Sequence, residues 1–301
     1  MWFAIPALIV VGFSWSLTGV VMSDAPRKNC NTAFLMLLNA LVSIAASLCV
    51  WVFAQKAPLS LRGVLLPGGS CFLASFINYF GLQIMSYSMQ KGPNGVIWSF
   101  IQSALIFPFL TGVIFFGNEL TFRRGTGLVM VLIALACLGL GKENKEKEKG
   151  WLLPAFLSFF LSGLVLTFNG LPSYFEEGKL LHSAGRTFFS GCGAFCAGFF
   201  WCLVRFRKEF FPLGLSEVKK GTSWKYIFML NCFGLICSYL LLYPGLDSMA
   251  DAGAGCVSYP LIVGSCIVGF NLYSLFVLKE KWTFLQCLGN VLCITGEFLI
   301  V

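Results

Sequence analysis

Phe116-Gly117-Asn118-Glu119-Leu120-Thr121-Phe122-Arg123-Arg124-Gly125-Thr126-Gly127 opens an apolar run, and its pattern returns as Leu278-Lys279-Glu280-Lys281-Trp282-Thr283-Phe284 with Gly289 behind it. Each copy is a brief charged interruption between two long stretches without charge, and those stretches decide the fold class. No Asp, Glu, Lys, Arg or His occurs in 1–23, 29–55, 63–90, 92–118, 125–141, 150–175, 187–204, 226–246 or 252–278, and 282–301 holds only Glu297. A helix needs about 20 apolar residues to cross roughly 30 Å of hydrocarbon. The stretches therefore predict ten spans and nine short connections. Charged residues make up 11% of the 301, hydrophobic ones 57%, and mean hydropathy is +0.82. Soluble domains carry about a quarter charged residues, so the chain reads as an all-α integral membrane protein with no room for a soluble domain.

The first span lacks a basic start and a small-residue cleavage site, and Trp15–Val21 continue its apolar run, so it is expected to remain as a span. The 13 cysteines lie scattered without a CxxC pair, and Cys192 and Cys196 have no His or acid beside them. They read as small packing residues, with no metal or cofactor implied. The net charge of +8 sits in separate short loops, which excludes the contiguous basic face that nucleic acid needs. Lys142–Lys149 is a mixed-charge hairpin, read as solvated.

The text repeats at long range. Tyr79 and Tyr239, Ser88-Met89 and Ser248-Met249, and Gly95 and Gly255 are each 160 residues apart; Glu119 and Glu280 are 161 apart; Thr121-Phe122 and Thr283-Phe284, and Gly127 and Gly289, are 162 apart. The drift fits a duplication with small indels. It divides the chain into a first five-span repeat (1–141), the hairpin linker (142–150) and a second repeat (151–301). Five spans is an odd number, so the second copy is inverted, the arrangement of many secondary transporters. A duplication kept only for stability is the alternative.

Here the sequence resembles a family. The two stretches quoted at the outset, each before an apolar helix, are similar to the closing element of an EamA-type domain, the pattern of the drug/metabolite transporter superfamily. The resemblance implies ten helices in a 5+5 inverted repeat around a central cavity and movement of a small solute by alternating access. Asn78-Tyr79-Phe80-Gly81-Leu82 resembles a segment of the rhamnose–proton symporters, which implies a sugar-type importer; an EamA-type metabolite or amino-acid exporter is the alternative.

In the fourth span Asn94, Trp98 and Gln102 are four apart and share one helical face. Amides in lipid must find partners, so this face points into the bundle, either for hydrogen bonds between helices or for a solute stacked on Trp98. Asn78, Tyr79 and Gln83 in the third span, Asn231, Tyr239 and Tyr243 in the eighth, Ser258 and Tyr259 in the ninth, Trp15 in the first and Asn169 in the sixth complete the candidate lining; each aromatic has packing as its alternative role. Pro108, Pro172, Pro244 and Pro260 interrupt spans and release carbonyls.

No acid or base lies within a span core. Cationic-drug antiporters of the superfamily carry an intramembrane Glu, and carriers of phosphorylated sugars need cavity Lys or Arg, so a neutral or zwitterionic solute is expected. The candidate coupling acids stand at span ends: Glu119, Asp251 and Glu280, with Asp247 and Glu297 beside them; capping, ion pairing and snorkelling are their structural alternatives. Without a mid-span relay, facilitated diffusion is favoured over proton coupling. An intramembrane enzyme would need a metal-binding acid pair with a phosphate-holding base; Asp247 and Asp251 have no base near them in sequence, and no HExxH or phosphate loop occurs. A structural membrane subunit is the other alternative. The odd-numbered connections hold fifteen Lys and Arg and the even ones six. By the positive-inside rule this puts the odd ones in the cytoplasm, with both termini outside, in a bacterial inner (plasma) membrane. Labelling of intact cells is expected to spare the 142–149 hairpin and the 205–225 connection; labelling of either from outside overturns the orientation.

Overall fold

The computed structural model describes residues 3–56, 58, 60–140 and 150–300. The 142–149 hairpin lies outside the described residues, as does the side chain of Glu297. Among the described residues ten long helices run through the fold: α1 (Ala4–Asp24), α2 (Thr32–Ala54), α3 (Leu61–Lys91), α4 (Asn94–Phe116), α5 (Phe122–Leu140), α6 (Leu152–Gly170), α7 (Ser183–Phe206), α8 (Gly221–Asp251), α9 (Gly255–Phe276) and α10 (Phe284–Ile300). Eight are long and apolar enough to cross a membrane on their own composition; α5, which opens with Arg123 and Arg124 in its first turn, and the shorter α10 lie outside that set and pack lengthwise against each other. The protein is an integral membrane helical protein. Its outer faces are apolar, with Phe53, Phe122 and Phe284 each at least 80% exposed, as lipid contact requires.

Helices in lipid gain no hydrophobic drive from pairing, so close backbone approach through small residues matters. A Cβ at Gly127 in α5 would stand 2.5 Å from the Gly296 carbonyl oxygen of α10, and one at Gly289 of α10 would stand 3.1 Å from the Ala134 carbonyl oxygen of α5. At the offset of 162, Gly127 corresponds to Gly289 and Ala134 to Gly296. The two contacts are therefore each other's image, as a two-fold axis between the repeats demands. Gly193 of α7 lies similarly close to the Phe72 carbonyl of α3.

The backbone also corrects one repeat pairing. Gly117 and Lys279 both turn left-handed, at φ 65° and 53°. The next N–H groups, of Asn118 and Glu280, each reach back six residues, to the carbonyls of Gly112 at 3.1 Å and Ser274 at 3.2 Å. Asn118, not Glu119, is thus the counterpart of Glu280; Glu119 is exposed.

Two helices are broken where they approach the middle of the fold. In α4, a 3₁₀ turn at Ser103–Leu105 divides Asn94–Gln102 from Ile106–Phe116. Pro108 follows and has no N–H to return to the Ala104 carbonyl. In α8, Leu230–Leu235 and Ser238–Leu242 wind as π-helix just ahead of Pro244, whose ring would clash with the carbonyl four residues back in a regular α-helix. A Gly127→Ala change is expected to lower detergent-solubilised stability by about 1–3 kcal/mol through overpacking. Gly125→Ala, with nothing within 4 Å of its Cβ, serves as the control in thermal unfolding and leaves the midpoint unchanged.

Candidate functional site

Between the repeats lies a cavity of about 240 Å³, bounded by α1, α3, α4, α6, α7 and α8. Trp15, Asn78, Trp98, Gln102, Asn169 and Tyr243 of the sequence-derived candidates line it, joined by the hydroxyls of Thr18, Ser75, Ser162 and Ser238. A side lobe of about 220 Å³ extends towards α2 and the π-wound part of α8; it shares Trp15, Asn78, Ser75, Ser190 and Ser238 with the main chamber and adds Tyr79, Asn39 and Ser43. Among the described residues no acid, Lys, Arg or His lines either lobe.

The remaining candidates lie elsewhere. Ser258 and Tyr259 border a separate void of about 20 Å³ beneath Tyr174, near the α9 N-terminus. Gln83 accepts from the Thr32 hydroxyl at 3.1 Å, and Tyr239 lines neither lobe. Tyr79 gives its hydroxyl proton to the Ala33 carbonyl at 2.9 Å and so braces α2 and α3. Asn231 ties α8 to α2, accepting from Ser43 at 2.8 Å and donating to the Asn39 side chain at 2.8 Å.

The shared face of Asn94, Trp98 and Gln102 divides by task. Trp98 lies over Gly19, where a Cβ would meet the indole at 2.8 Å, and leans on Phe270 with ring centroids 5.0 Å apart. Its Nε1 is buried with no hydrogen-bond partner; so is the Asn169 Oδ1 in the facing helix α6. Gln102 reaches the Cys266 sulfur, at 3.7 Å. On the far side of the same turn, Ser99, Asn271 and Asn290 form a buried chain linking α4, α9 and α10, with contacts of 2.5 to 3.3 Å. Asn271, the sole amide of its span, and Asn290, one turn after Gln286, were not singled out from the sequence.

Asn94 belongs to a latch. The Glu280 carboxylate accepts from the Asn94 backbone N–H at 2.8 Å and its side-chain amide at 2.7 Å, from the Gly95 N–H at 3.0 Å and from the Ser274 hydroxyl at 2.6 Å. It thereby caps the exposed N–H groups at the start of α4 from the opposite repeat. Burial would raise the pKa of this carboxyl, but the Gly95 N–H, the Ser274 hydroxyl and the two Asn94 donors outweigh it and hold it below the ordinary glutamate range. On the opposite face the counterpart Asn118 donates to the Gly112 carbonyl at 2.9 Å, and the Tyr174 hydroxyl fills the space over Gly255. At this turn no carboxylate reaches across to the other repeat as Glu280 does.

Arg186 stands one residue ahead of the charge-free run 187–204, and Asp247 and Asp251 have no base near them in sequence; folding brings Arg186 to Asp247. Arg186 is 1% exposed in the first turn of α7, and its guanidinium forks onto Asp247 with two contacts of 3.0 Å, donates to the Gly178 carbonyl at 2.9 Å and lies over the Tyr243 ring. Tyr243 separates it from the cavity, where Ser190 stands 3.5 Å from the Tyr243 hydroxyl. Asp251 pairs with Lys179, whose pKa is raised by that hydrogen bond and a second one to Glu176. His182 caps α7 by accepting the Ala184 N–H at 3.1 Å; burial and then Arg186 lower its pKa.

Residues 2–140 match the EamA-like transporter family. That match points to a membrane transporter of the drug/metabolite type. Among curated proteins none matches the chain. A crystal structure of a protein at 12% identity shares the fold, with a TM-score of 0.60 over 98% of this chain and 97% of that one. The EamA-like half supplies the α4 side of the latch and the second repeat supplies its carboxylate.

Since the Glu280 pKa is depressed, its stabilisation is complete above pH 4.5 and is lost as pH falls below it. Glu280→Gln is expected to cost about 2 kcal/mol at pH 7, where it trades charge-assisted bonds for neutral ones. The difference from wild type should shrink as pH drops from 4.5 towards 3 in denaturation titrations. A pH-independent difference shows that the carboxylate is not the acceptor.

Proposed function

We propose that the chain moves a small neutral or zwitterionic polar solute across the membrane by alternating access, and that the solute sits in the central cavity. The unpartnered Trp98 Nε1 and Asn169 Oδ1 carry this reading. A buried donor or acceptor left unpaired costs about 1–3 kcal/mol, and a solute bearing hydroxyl or amide groups offers each its missing partner. Two indoles, Trp15 and Trp98, add the flat apolar faces that sugars and amino acids stack on. The uncharged lining disfavours phosphorylated and cationic solutes, and the buried Arg186 is matched by Asp247 behind Tyr243. Among these, sugars and polyols are the first class to test, and a bacterial inner membrane with both termini outside is the setting the loop charges favour.

The same helix that faces the solute also carries the latch. Asn94 and Gly95 hold Glu280 one turn before Trp98, and the segment ends at the Ser103–Leu105 turn, which serves as its hinge. Solute engagement at Trp98 and Gln102 would thereby pull on the closure of the Glu280 face. None of Glu119, Asp251 and Glu280 lines the cavity, and Glu280 is held ionised, which favours facilitated diffusion over proton coupling.

Purified protein screened by thermal shift against neutral sugars, polyols and amino acids is expected to show a saturable stabiliser. Asn169→Ala should weaken that ligand by about 1–3 kcal/mol with little change in the unliganded midpoint, because Asn169 Oδ1 has no partner to lose. Unchanged affinity in Asn169→Ala places the solute elsewhere. In proteoliposomes the same solute should exchange by counterflow without a pH gradient; accumulation driven by an inward proton gradient and abolished by Asp251→Asn or Glu119→Gln refutes facilitated diffusion.

A further inference from the structure

At Arg207 the backbone turns left-handed, φ 44°, and the chain leaves the α7 axis. Phe210–Lys219 then forms a separate helix before α8 begins at Gly221. Ten residues rise about 15 Å, too short to cross a bilayer. Both its neighbours are spans ending at the same membrane face, so this helix lies along that face.

At 100° per residue its sides differ in kind. Phe210, Gly214 and Glu217 share the side towards the protein: the Phe210 ring packs on Phe34 and Phe199 at 5.5 and 5.7 Å, Gly214 lies against Phe34, and Glu217 is buried with the Ser223 hydroxyl and Lys220. One residue further round, Phe211, Leu215 and Val218 make an apolar stripe that is 81%, 58% and 39% exposed. Beyond the stripe, Lys208 and Lys219 turn outward, and with Arg205 and Arg207 they are exposed; Glu209 is the sole exposed acid from 205 to 219. Trp224, whose Nε1 donates to the Val218 carbonyl at 2.7 Å, stands half-exposed beside the helix, as an aromatic does at a headgroup boundary.

We infer that Phe210–Lys219 is a docking surface for anionic phospholipid. Phe211, Leu215 and Val218 enter the acyl-chain boundary, and Arg205, Arg207, Lys208 and Lys219 hold headgroup phosphates. An apolar stripe bordered by cations is the arrangement with which a helix lies in an anionic interface. The surface has a mechanical connection to the rest of the fold. Glu217 is bonded to Ser223 in the first turn of α8, and the Lys220 ammonium donates to the Asn29 carbonyl between α1 and α2 at 2.8 Å. Further along α8, its π-wound segment walls the cavity. Lipid bound here steadies that wall, a consequence that rests on the cavity being the solute site; the lipid contact itself does not.

Full-length protein in phosphatidylcholine bilayers, with and without phosphatidylglycerol, is compared by hydrogen exchange over residues 205–220. Phosphatidylglycerol is expected to slow exchange there, with no effect of inorganic phosphate added to phosphatidylcholine membranes. Each cation removed should weaken lipid retention about fivefold, so the Arg207→Gln/Lys208→Gln double variant loses the protection while exchange over 94–102 stays as in wild type. Leu215→Ser, which leaves the charges in place, should reduce the protection in phosphatidylglycerol. Equal protection in both lipids, or protection surviving in the double variant, overturns the proposal. Protection by free phosphate alone overturns it too, since an anion site would then need no lipid.

Discussion

Hydrocarbon supplies no hydrogen bonds, and this single constraint orders the molecule. Backbone groups are consumed within helices, and a set of hydroxyls inside the spans turns back on its own helix: Thr167 to the Gly163 carbonyl, Ser238 to Gly234, Ser265 to Leu261, Thr295 to Val291. Such residues are inexpensive in lipid and say little about function. Several amides are also satisfied across helices, as in the Ser99–Asn271–Asn290 chain and the Asn39–Asn231–Ser43 group. Of the buried side-chain atoms left unpaired among the described residues, the Trp98 Nε1 and Asn169 Oδ1 belong to the residues that line the chamber. They sit at the wide chamber between the repeats, where a solute can satisfy what the bundle does not.

The repeat is symmetric where helices pack and asymmetric where faces close. Gly127 with Gly296 and Gly289 with Ala134 obey the two-fold relation. The two turns that follow α4 and α9 share a left-handed residue and a six-residue hydrogen bond, yet one offers Asn118 and the other Glu280. Identical backbone thus presents an amide to one face and a carboxylate to the other. The carboxylate takes three hydrogen bonds from α4 of the other repeat, whereas the amide folds back onto its own helix.

Much of the architecture was legible in the sequence because its cause is one-dimensional. Charge-free runs mark the helices, because lipid excludes unpaired charge. The face of Asn94, Trp98 and Gln102 was legible too, since helical spacing alone joins them. Which of the three meets the cavity was not, because that depends on Glu280, 186 residues from Asn94 along the chain. Arg186 escaped for a related reason. A charge four residues into a span reads as a loop residue until Asp247 and the Gly178 carbonyl are brought beside it by packing. The Glu119–Glu280 match failed because identity of residue outweighed identity of backbone; the left-handed Gly117 and Lys279 carry no shared letter.

The two charged sites differ in what movement would demand of them. Arg186 and Asp247 both belong to the second repeat, so rocking one repeat against the other leaves their bonds whole. That suits a guanidinium 1% exposed, since stripping a buried ion of its partner is among the costliest changes a fold can make. Glu280 lies in a connection at the membrane face, and its bonds from Asn94 and Gly95 come from the opposite repeat. Parting the repeats there exchanges protein hydrogen bonds for water rather than for hydrocarbon, and such an exchange is nearly balanced. The Arg186–Asp247 bonds are therefore the permanent ones and those from α4 to Glu280 the reversible ones. The proposed cycle needs that division, with its movable contact placed where water can take the carboxylate when α4 lets go.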